Sequence, residues 1–101
     1  MKSIIPQEEN TCYLCDLFRE YHSSVLHEHH IFYGSRHKKA EEMGLKLNLC
    51  LYHHTGDING NEEAVHFNKE YDVMLKKIAQ AIYESKYGHD QFVKEMERSW
   101  L

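Results

Sequence analysis

Cysteine and histidine residues recur in this chain at the spacing of zinc ligands. Two residues separate Cys12 from Cys15, and two residues separate Cys50 from His53. Two such pairs supply the four sulfur and nitrogen atoms that a structural Zn²⁺ ion takes as tetrahedral ligands. We therefore predict a structural zinc site formed by these four residues. Cys50 with His54 is an alternative second pair, and we prefer His53 because both pairs then have the same spacing.

The first cysteine pair could also serve without zinc, in a redox motif or in the core. A redox Cys-x-x-Cys motif belongs to a βαβ pattern, and the sequence shows no such pattern around Cys12 and Cys15. Buried core cysteines without a metal are the second alternative. The three cysteines of the chain cannot all pair with one another, so we expect a reducing compartment in which thiolates bind zinc.

The chain has nine histidines, more than a structural zinc site uses. His29 and His30 are neighbours in a predicted strand, where adjacent side chains point to opposite faces, so they cannot both bind one ion in regular geometry. The pair is suited instead to one metal ligand and one general base. His54 and His66 can complete the ligands of this second ion. The histidines expected to be solvated or hydrogen-bonded at the surface are His22, His27, His37 and His89.

Hydrophobic patterning predicts the elements that must position these residues in one small α+β domain. A chain of 101 residues buries a limited core, to which zinc commonly adds stability. Residues 1–11 are predicted to form a flexible arm. The predicted elements are a helical turn at 16–21, a strand at 25–32, a helix capped by Ser35 that runs to Met43 and ends at Gly44, a strand at 45–49, a turn-rich loop at 55–60, a long helix capped by Asn61 that runs to Tyr87 and ends at Gly88, and a last helix at 90–100.

The net charge of the chain argues against binding of nucleic acid, whereas the local distribution of charge favours it. A net charge of −4 disfavours bulk electrostatic binding, although bound cations would add local positive charge. Arg36, Lys38 and Lys39 form a basic cluster between the two metal-ligand pairs, and its charge suits contact with the phosphates of a nucleic acid. A solvated helix face is the alternative for this cluster. No apolar run is long enough to span a membrane, and the first residues lack the apolar core of a signal peptide.

Five short motifs follow one another between Cys12 and Asn68. They are Cys-x2-Cys, His-His-Ile on the first strand, Asn-Leu on the second strand, Cys-x2-His-His, and a last histidine at the start of a helix. This order resembles the HNH endonuclease family, in particular its small phage-encoded members with a zinc knot. The resemblance implies a small ββα-metal (HNH) motif with a structural zinc knuckle pair in residues 12–68, and C-terminal helices in residues 61–101, within a single domain 1–101.

The resemblance also implies roles for individual residues. His29, His54 and His66 would bind a catalytic divalent cation (Mg²⁺, Mn²⁺, Ni²⁺ or Zn²⁺). His30 would be the general base that activates water, and Asn48 would orient it. Because twelve positions separate His54 from His66, more than is usual in the family, Asn68 and His53 are alternatives for the last ligand.

The expected function is therefore single-metal hydrolysis of DNA in the cytoplasm of a bacterial host cell, by a protein of phage or prophage origin. DNA is the expected partner, and its phosphates would contact Arg36, Lys38 and Lys39. A second copy of the chain or a phage protein is a further candidate. The alternative is a non-catalytic zinc-binding module that binds nucleic acid or a protein partner. A small redox or metal-binding protein ranks third, because it explains the cysteines but not the order of the histidines.

Overall fold

The computed structural model describes residues 2–56 and 62–101 and has the predicted α+β class. Short helices alternate with two strands in the first half, and two longer helices complete the chain. The elements within the described ranges are α1 (Tyr13–Phe18), β1 (Leu26–His30), α2 (His37–Met43), β2 (Lys46–Cys50), α3 (Leu51–His54), α4 (Lys69–Tyr87) and α5 (His89–Met96), with 3₁₀ turns at Gly34–Arg36 and Val65–Phe67.

Strands β1 and β2 form a two-stranded antiparallel sheet. His29 lies opposite Leu47, and Glu28 lies opposite Asn48. Because side chains alternate along a strand, His29 and Leu47 belong to one face of the sheet, while Glu28, Asn48 and His30 belong to the other. The sheet therefore separates His29 from His30, as their adjacency in the sequence predicted. Its buried face carries leucine, as the alternation of the second strand predicted, and Leu47 is 3% exposed.

Several elements of the first half differ at their ends from the prediction. Helix α1 begins directly after Cys12, whose Sγ accepts a hydrogen bond from the backbone N–H of Cys15, so the first cysteine pair forms the start of a helix. Ser35 lies within a 3₁₀ turn and does not cap α2. Gly44 ends α2 in the left-handed conformation, as predicted.

The long helix of the second half begins later than predicted. Asn61 and residues 57–60 of the predicted loop lie outside the described residues, and α4 is capped by Asn68, whose Oδ1 accepts from the backbone N–H of Tyr71 at 3.0 Å. The helix ends before Gly88, as predicted, but α5 ends at Met96 rather than at residue 100. Within residues 2–56 and 62–101, no helix combines the length and apolar composition needed to cross a lipid bilayer.

The segment predicted as a flexible arm lies along the outer edge of β2. The backbone N–H of Ile4 donates to the carbonyl of Gly44 at 2.9 Å, and the hydroxyl of Ser3 donates to the carbonyl of Lys46. The Gln7 side chain bonds both backbone groups of Asn48, donating to its carbonyl at 3.1 Å and accepting from its N–H at 3.0 Å. The N-terminal segment therefore has defined contacts with the sheet, while its flexibility stays a prediction.

Gly44 is expected to be intolerant of any side chain. Its φ is +72°, and an added Cβ would lie 2.6 Å from the backbone oxygen of Lys2. Gly34 is a matched control, because its φ is +65° but nothing lies within 4 Å of its added Cβ. We expect Gly34→Ala to lower the free energy of unfolding by about 1–2 kcal/mol, the cost of the left-handed backbone. Gly44→Ala should cost at least ~1 kcal/mol more, because the N-terminal segment must also move.

Urea denaturation of the two variants measures this difference. Equal losses of stability in both variants would contradict the close packing of the N-terminal segment against Gly44.

Candidate metal centres

Three cysteine sulfurs and one histidine nitrogen meet between α1 and the junction of β2 with α3. Nδ1 of His53 lies 3.5 Å from Sγ of Cys12, 3.4 Å from Sγ of Cys15 and 3.6 Å from Sγ of Cys50. The sulfurs of Cys15 and Cys50 are 3.7 Å apart. The four predicted zinc ligands are thus gathered in one buried group, and His53 rather than His54 is its histidine.

The separations in this Cys3His group agree with a tetrahedron around zinc. With Zn–S bonds of about 2.3 Å and Zn–N bonds of about 2.0–2.1 Å, two sulfur ligands lie about 3.8 Å apart and a sulfur and a nitrogen about 3.6 Å apart. The sulfur–sulfur distance of 3.7 Å and the sulfur–nitrogen distances from 3.4 to 3.6 Å fit these values. The group therefore has both the donors and the size that a Zn²⁺ ion requires.

Burial sets the protonation of the Cys3His group. Burial is the main cause of the raised pKa of Cys12, and it is the main cause that raises the pKa of Cys15 to about 12. Both thiols therefore stay protonated at neutral pH without a cation. Burial, with a smaller effect of His22, lowers the pKa of His53 and keeps its ring neutral. A Zn²⁺ ion would displace the thiol protons. Zinc binding should therefore weaken as the pH falls.

Glu20 lies behind His53, a neighbour that no spacing in the sequence indicates. His53 is fully buried, and its Nε2 has no hydrogen-bond partner among the described residues. Oε1 of Glu20 lies 3.5 Å from this nitrogen and 3.3 Å from Nε2 of His22. A carboxylate in this position fixes the tautomer and orientation of a metal-binding histidine. Glu20 is therefore suited to orient Nδ1 of His53 toward the cysteines.

A second group of ligand atoms comes from His29 on β1, His54 on α3 and His66 in the second 3₁₀ turn. One nitrogen from each of these residues lies within 4.8 Å of the others. The Nε2 atoms of His54 and His66 are 3.2 Å apart, close to the separation of about 3.4 Å between two nitrogen ligands of a tetrahedral ion. We call this the three-histidine group. Of the two alternative last ligands, His53 belongs to the Cys3His group, and Oδ1 of Asn68 accepts the capping hydrogen bond of α4.

The surroundings of His29 and His54 favour the neutral form of both rings. His29 is 3% exposed, and its Nε2 has no hydrogen-bond partner in the described part of the chain. Burial, and after it the proximity of His54 and His66, lowers the pKa of His29 to about 3. Burial and the proximity of His66 lower the pKa of His54 to about 4. Neutral imidazole is the form that binds metal ions, so His29 and His54 are in the state that binds a divalent cation at neutral pH.

His27 adds a contact to this group that the sequence analysis did not predict. Its Nδ1 lies 2.9 Å from Nδ1 of His54, which leaves Nε2 of His54 on the side of His66. His27 was expected to be a solvated or hydrogen-bonded surface residue, and it is half-buried and hydrogen-bonded. Its position two residues before His29 puts both on the same face of β1, so strand alternation was the signal for this contact. The remaining three of the expected surface histidines, His22, His37 and His89, are exposed.

His30 lies on the opposite face of β1 and has its own carboxylate. Its Nε2 is 2.7 Å from Oε2 of Glu41 on α2, and the same carboxylate is 2.9 Å from Nζ of Lys46. Hydrogen bonds, first from Lys46 and then from His30, lower the pKa of Glu41 to about 2. Glu41 is therefore ionised at neutral pH and holds one edge of the His30 ring. Asn48 belongs to the same face of the sheet, and its role as an orienting residue stays a prediction.

Two of the three predicted DNA-contacting cations bind the C-terminal part of the chain. Nε of Arg36 donates to the carbonyl of Met96 at 3.1 Å, and its guanidinium lies 5.5 Å from the Trp100 ring centre. Nζ of Lys39 lies 2.7 Å from Oε2 of Glu95. Lys38 is exposed. The structure therefore gives Arg36 and Lys39 a role in joining α2 to the C-terminal segment, and DNA contact by the cluster stays a prediction.

No protein family, curated protein sequence or solved structure matches this chain. The resemblance to HNH endonucleases accordingly stays a prediction that rests on the residues.

We expect zinc at the Cys3His group to be necessary for folding. Structural Zn²⁺ contributes about 10–16 kcal/mol in zinc-finger peptides, as much as the whole stability of a small domain, about 5–15 kcal/mol. Cys12→Ser or Cys50→Ser should therefore give protein without this zinc that is unfolded by circular dichroism. His54→Ala, which changes only the three-histidine group, is the control and should keep about one zinc per chain by elemental analysis. Folded, zinc-free cysteine variants would contradict a structural metal site.

We expect the three-histidine group to prefer Ni²⁺ or Zn²⁺ to Mg²⁺. Its three described ligands are imidazoles, which suit transition metals, whereas Mg²⁺ takes oxygen ligands. Calorimetric titration should show Ni²⁺ binding that His54→Ala removes and His89→Ala retains, because His89 is exposed on α5 and bonds Glu84 at 2.9 Å. Mg²⁺ binding as tight as that of Ni²⁺, or unchanged Ni²⁺ binding by His54→Ala, would count against this site.

Proposed function

We propose that the protein is a metal-dependent DNA endonuclease of the HNH type. The observation that carries the proposal is that neighbouring residues of α3 belong to different ligand groups. His53 belongs to the buried Cys3His group, and His54 belongs to the three-histidine group, whose His66 is exposed. A structural site needs to be closed, whereas a catalytic site needs an open position for water or substrate. The three-histidine group is open to solvent at His66, and the adjacent Cys3His group holds α3 and therefore His54 in place.

The proposed mechanism is hydrolysis of a phosphodiester bond by an activated water. A divalent ion on His29, His54 and His66 would polarise the scissile phosphate and stabilise the charge on the leaving 3′ oxygen. His30 is the proposed general base. Its Nε2 lies 2.7 Å from Oε2 of Glu41. With the ring proton on Nε2, Nδ1 would be the atom that accepts a proton from water. The ionised Glu41 orients the ring and stabilises the imidazolium that forms when a proton is taken from water.

The charge distribution supports the second candidate function, a non-catalytic binding module. The chain has a net charge of −4, and Arg36 and Lys39 already bind the C-terminal segment. Broad electrostatic attachment to duplex DNA would use just such cations. The His30–Glu41 pair favours the enzyme, because a purely structural module has no need of an imidazole held by a carboxylate in addition to a metal-ligand group.

Separate variants of His30 and His54 distinguish the proposed general base from a proposed metal ligand. His30→Ala should lower the rate of cleavage by about 10²-fold or more, the usual weight of general-base catalysis, while it folds and binds Ni²⁺ like the wild type. His54→Ala should instead lose the second ion, with activity partly restored at high Mn²⁺. His89→Ala is the matched control and should cleave normally. The measurement is nicking of supercoiled plasmid with Mg²⁺, Mn²⁺, Ni²⁺, Zn²⁺ or EDTA.

Two results would change the assignment. If the wild type cleaves no form of DNA with any of these ions, the binding module is the better description. If His30→Ala cleaves at the wild-type rate, His30 is not the base.

A further inference from the structure

A surface cleft adjoins the three-histidine group. It has a volume of about 400 Å³ and includes Tyr33, His66, Phe67, Lys69 and Asp72 in its lining. One wall is therefore a residue of the metal-ligand group itself. The ring of Tyr33 also lies 6.2 Å from the His66 ring, measured between centroids. A molecule in this cleft would lie next to an ion held by the three histidines.

Two large aromatic side chains of the cleft are exposed to solvent. Phe67 is 62% exposed and Tyr33 is 49% exposed. Single exposed aromatic residues are ordinary on protein surfaces, but two in one cleft beside a metal-ligand group point to a binding surface. Tyr33 is held in place, because its hydroxyl donates to Asp72 at 3.2 Å and Nζ of Lys76 lies 4.5 Å from its ring centre. Tyr33 is thus a preorganised ring, so little side-chain freedom is lost when a ligand stacks on it.

The charges around the cleft suit an anion with flat rings. Asp72 is neutralised by Lys76, whose Nζ lies 2.8 Å from Oδ2. Lys69 is exposed and adds a positive charge, as would an ion on the three histidines. These few cations offer limited phosphate contact, so much of the affinity for a nucleic acid would have to come from stacking. Bases stack on aromatic side chains only when they are not stacked within a duplex.

We infer that this cleft binds the unpaired bases of single-stranded DNA, by stacking on Phe67 and Tyr33 beside the three-histidine group. This inference rests on the proposed function, in which the three-histidine group is the catalytic site, and it names the class of substrate. A strand held in the cleft would have its phosphates next to the metal ligands. Duplex DNA, with its bases paired and stacked, would lack this contact.

Binding of labelled oligonucleotides, measured by fluorescence anisotropy, tests the inference. The protein carries His30→Ala, so that cleavage does not disturb the measurement, and Ni²⁺ is present. The three probes are a short thymidine strand, a duplex of the same length, and an abasic strand with the same phosphates but no bases. We expect the thymidine strand to bind about tenfold more tightly than the abasic strand, because stacking of one base contributes roughly five- to 150-fold in affinity. The duplex should bind more weakly than the thymidine strand.

Variants of Phe67 separate stacking from a structural role. Phe67→Ala should weaken binding of the thymidine strand by about tenfold and leave the abasic strand unchanged, while Phe67→Trp, which keeps a ring, should retain the preference. Tyr21→Ala is the matched control, because Tyr21 is 76% exposed and lies outside the cleft lining. Thermal unfolding should be nearly the same for all of these variants, since the exposed ring of Phe67 adds little to the core.

The possible results separate this inference from the proposed function. Equal binding of thymidine and abasic strands, or an unchanged preference in Phe67→Ala, would overturn the inference even if the wild type cleaves plasmid. A preference for bases that depends on Phe67, in a protein that cleaves no DNA, would support the binding site and overturn the enzyme. Tighter binding of the duplex than of the thymidine strand would also overturn the inference.

Discussion

The first half of the fold depends on the meeting of four buried cysteine and histidine side chains where α1 meets the end of β2. Cys12 and Cys15 start α1, and Cys50 and His53 lie 35 or more positions later, so their association closes a loop that contains β1, α2 and β2. A small chain has few apolar contacts with which to hold such a loop. A divalent ion would replace four weakly interacting polar groups by four strong bonds, and it would do so only when both ends of the loop are in place.

The adjacency of His53 and His54 joins the Cys3His group to the three-histidine group. The four-residue helix α3 presents one ring to the cysteines and the next ring to His29 and His66, and the backbone N–H of Leu51 ties its start to the carbonyl of Val25 beside β1 at 2.9 Å. His54 is therefore positioned by the same turn of chain that closes the Cys3His group. This arrangement explains how a short helix, marginal on its own, can hold a ligand precisely enough for a metal ion.

The sequence predicted the features that follow from local spacing. The interval between Cys12 and Cys15, and the alternation that separates His29 from His30, depend on a few neighbouring residues. Contacts between distant elements could not be predicted in this way. Glu41 meets His30 only because α2 packs beside β1, and nothing near Arg36 in the sequence indicates its hydrogen bond to the carbonyl of Met96. The start of α4 was misplaced because Asn61 and Asn68 have equal capping chemistry.

The contacts of Gln7 and Ser3 with β2 have a consequence for self-association. An exposed strand edge offers rows of N–H and C=O groups to which a strand of another molecule can add. On β2, the amide of Gln7 occupies both backbone groups of Asn48, and Ser3 occupies the carbonyl of Lys46. The Gln7 side chain thus makes the hydrogen bonds that a third strand would make at Asn48, but it offers no new strand edge. Two copies of this protein could not join through a continuous sheet at this edge unless the N-terminal segment were first displaced.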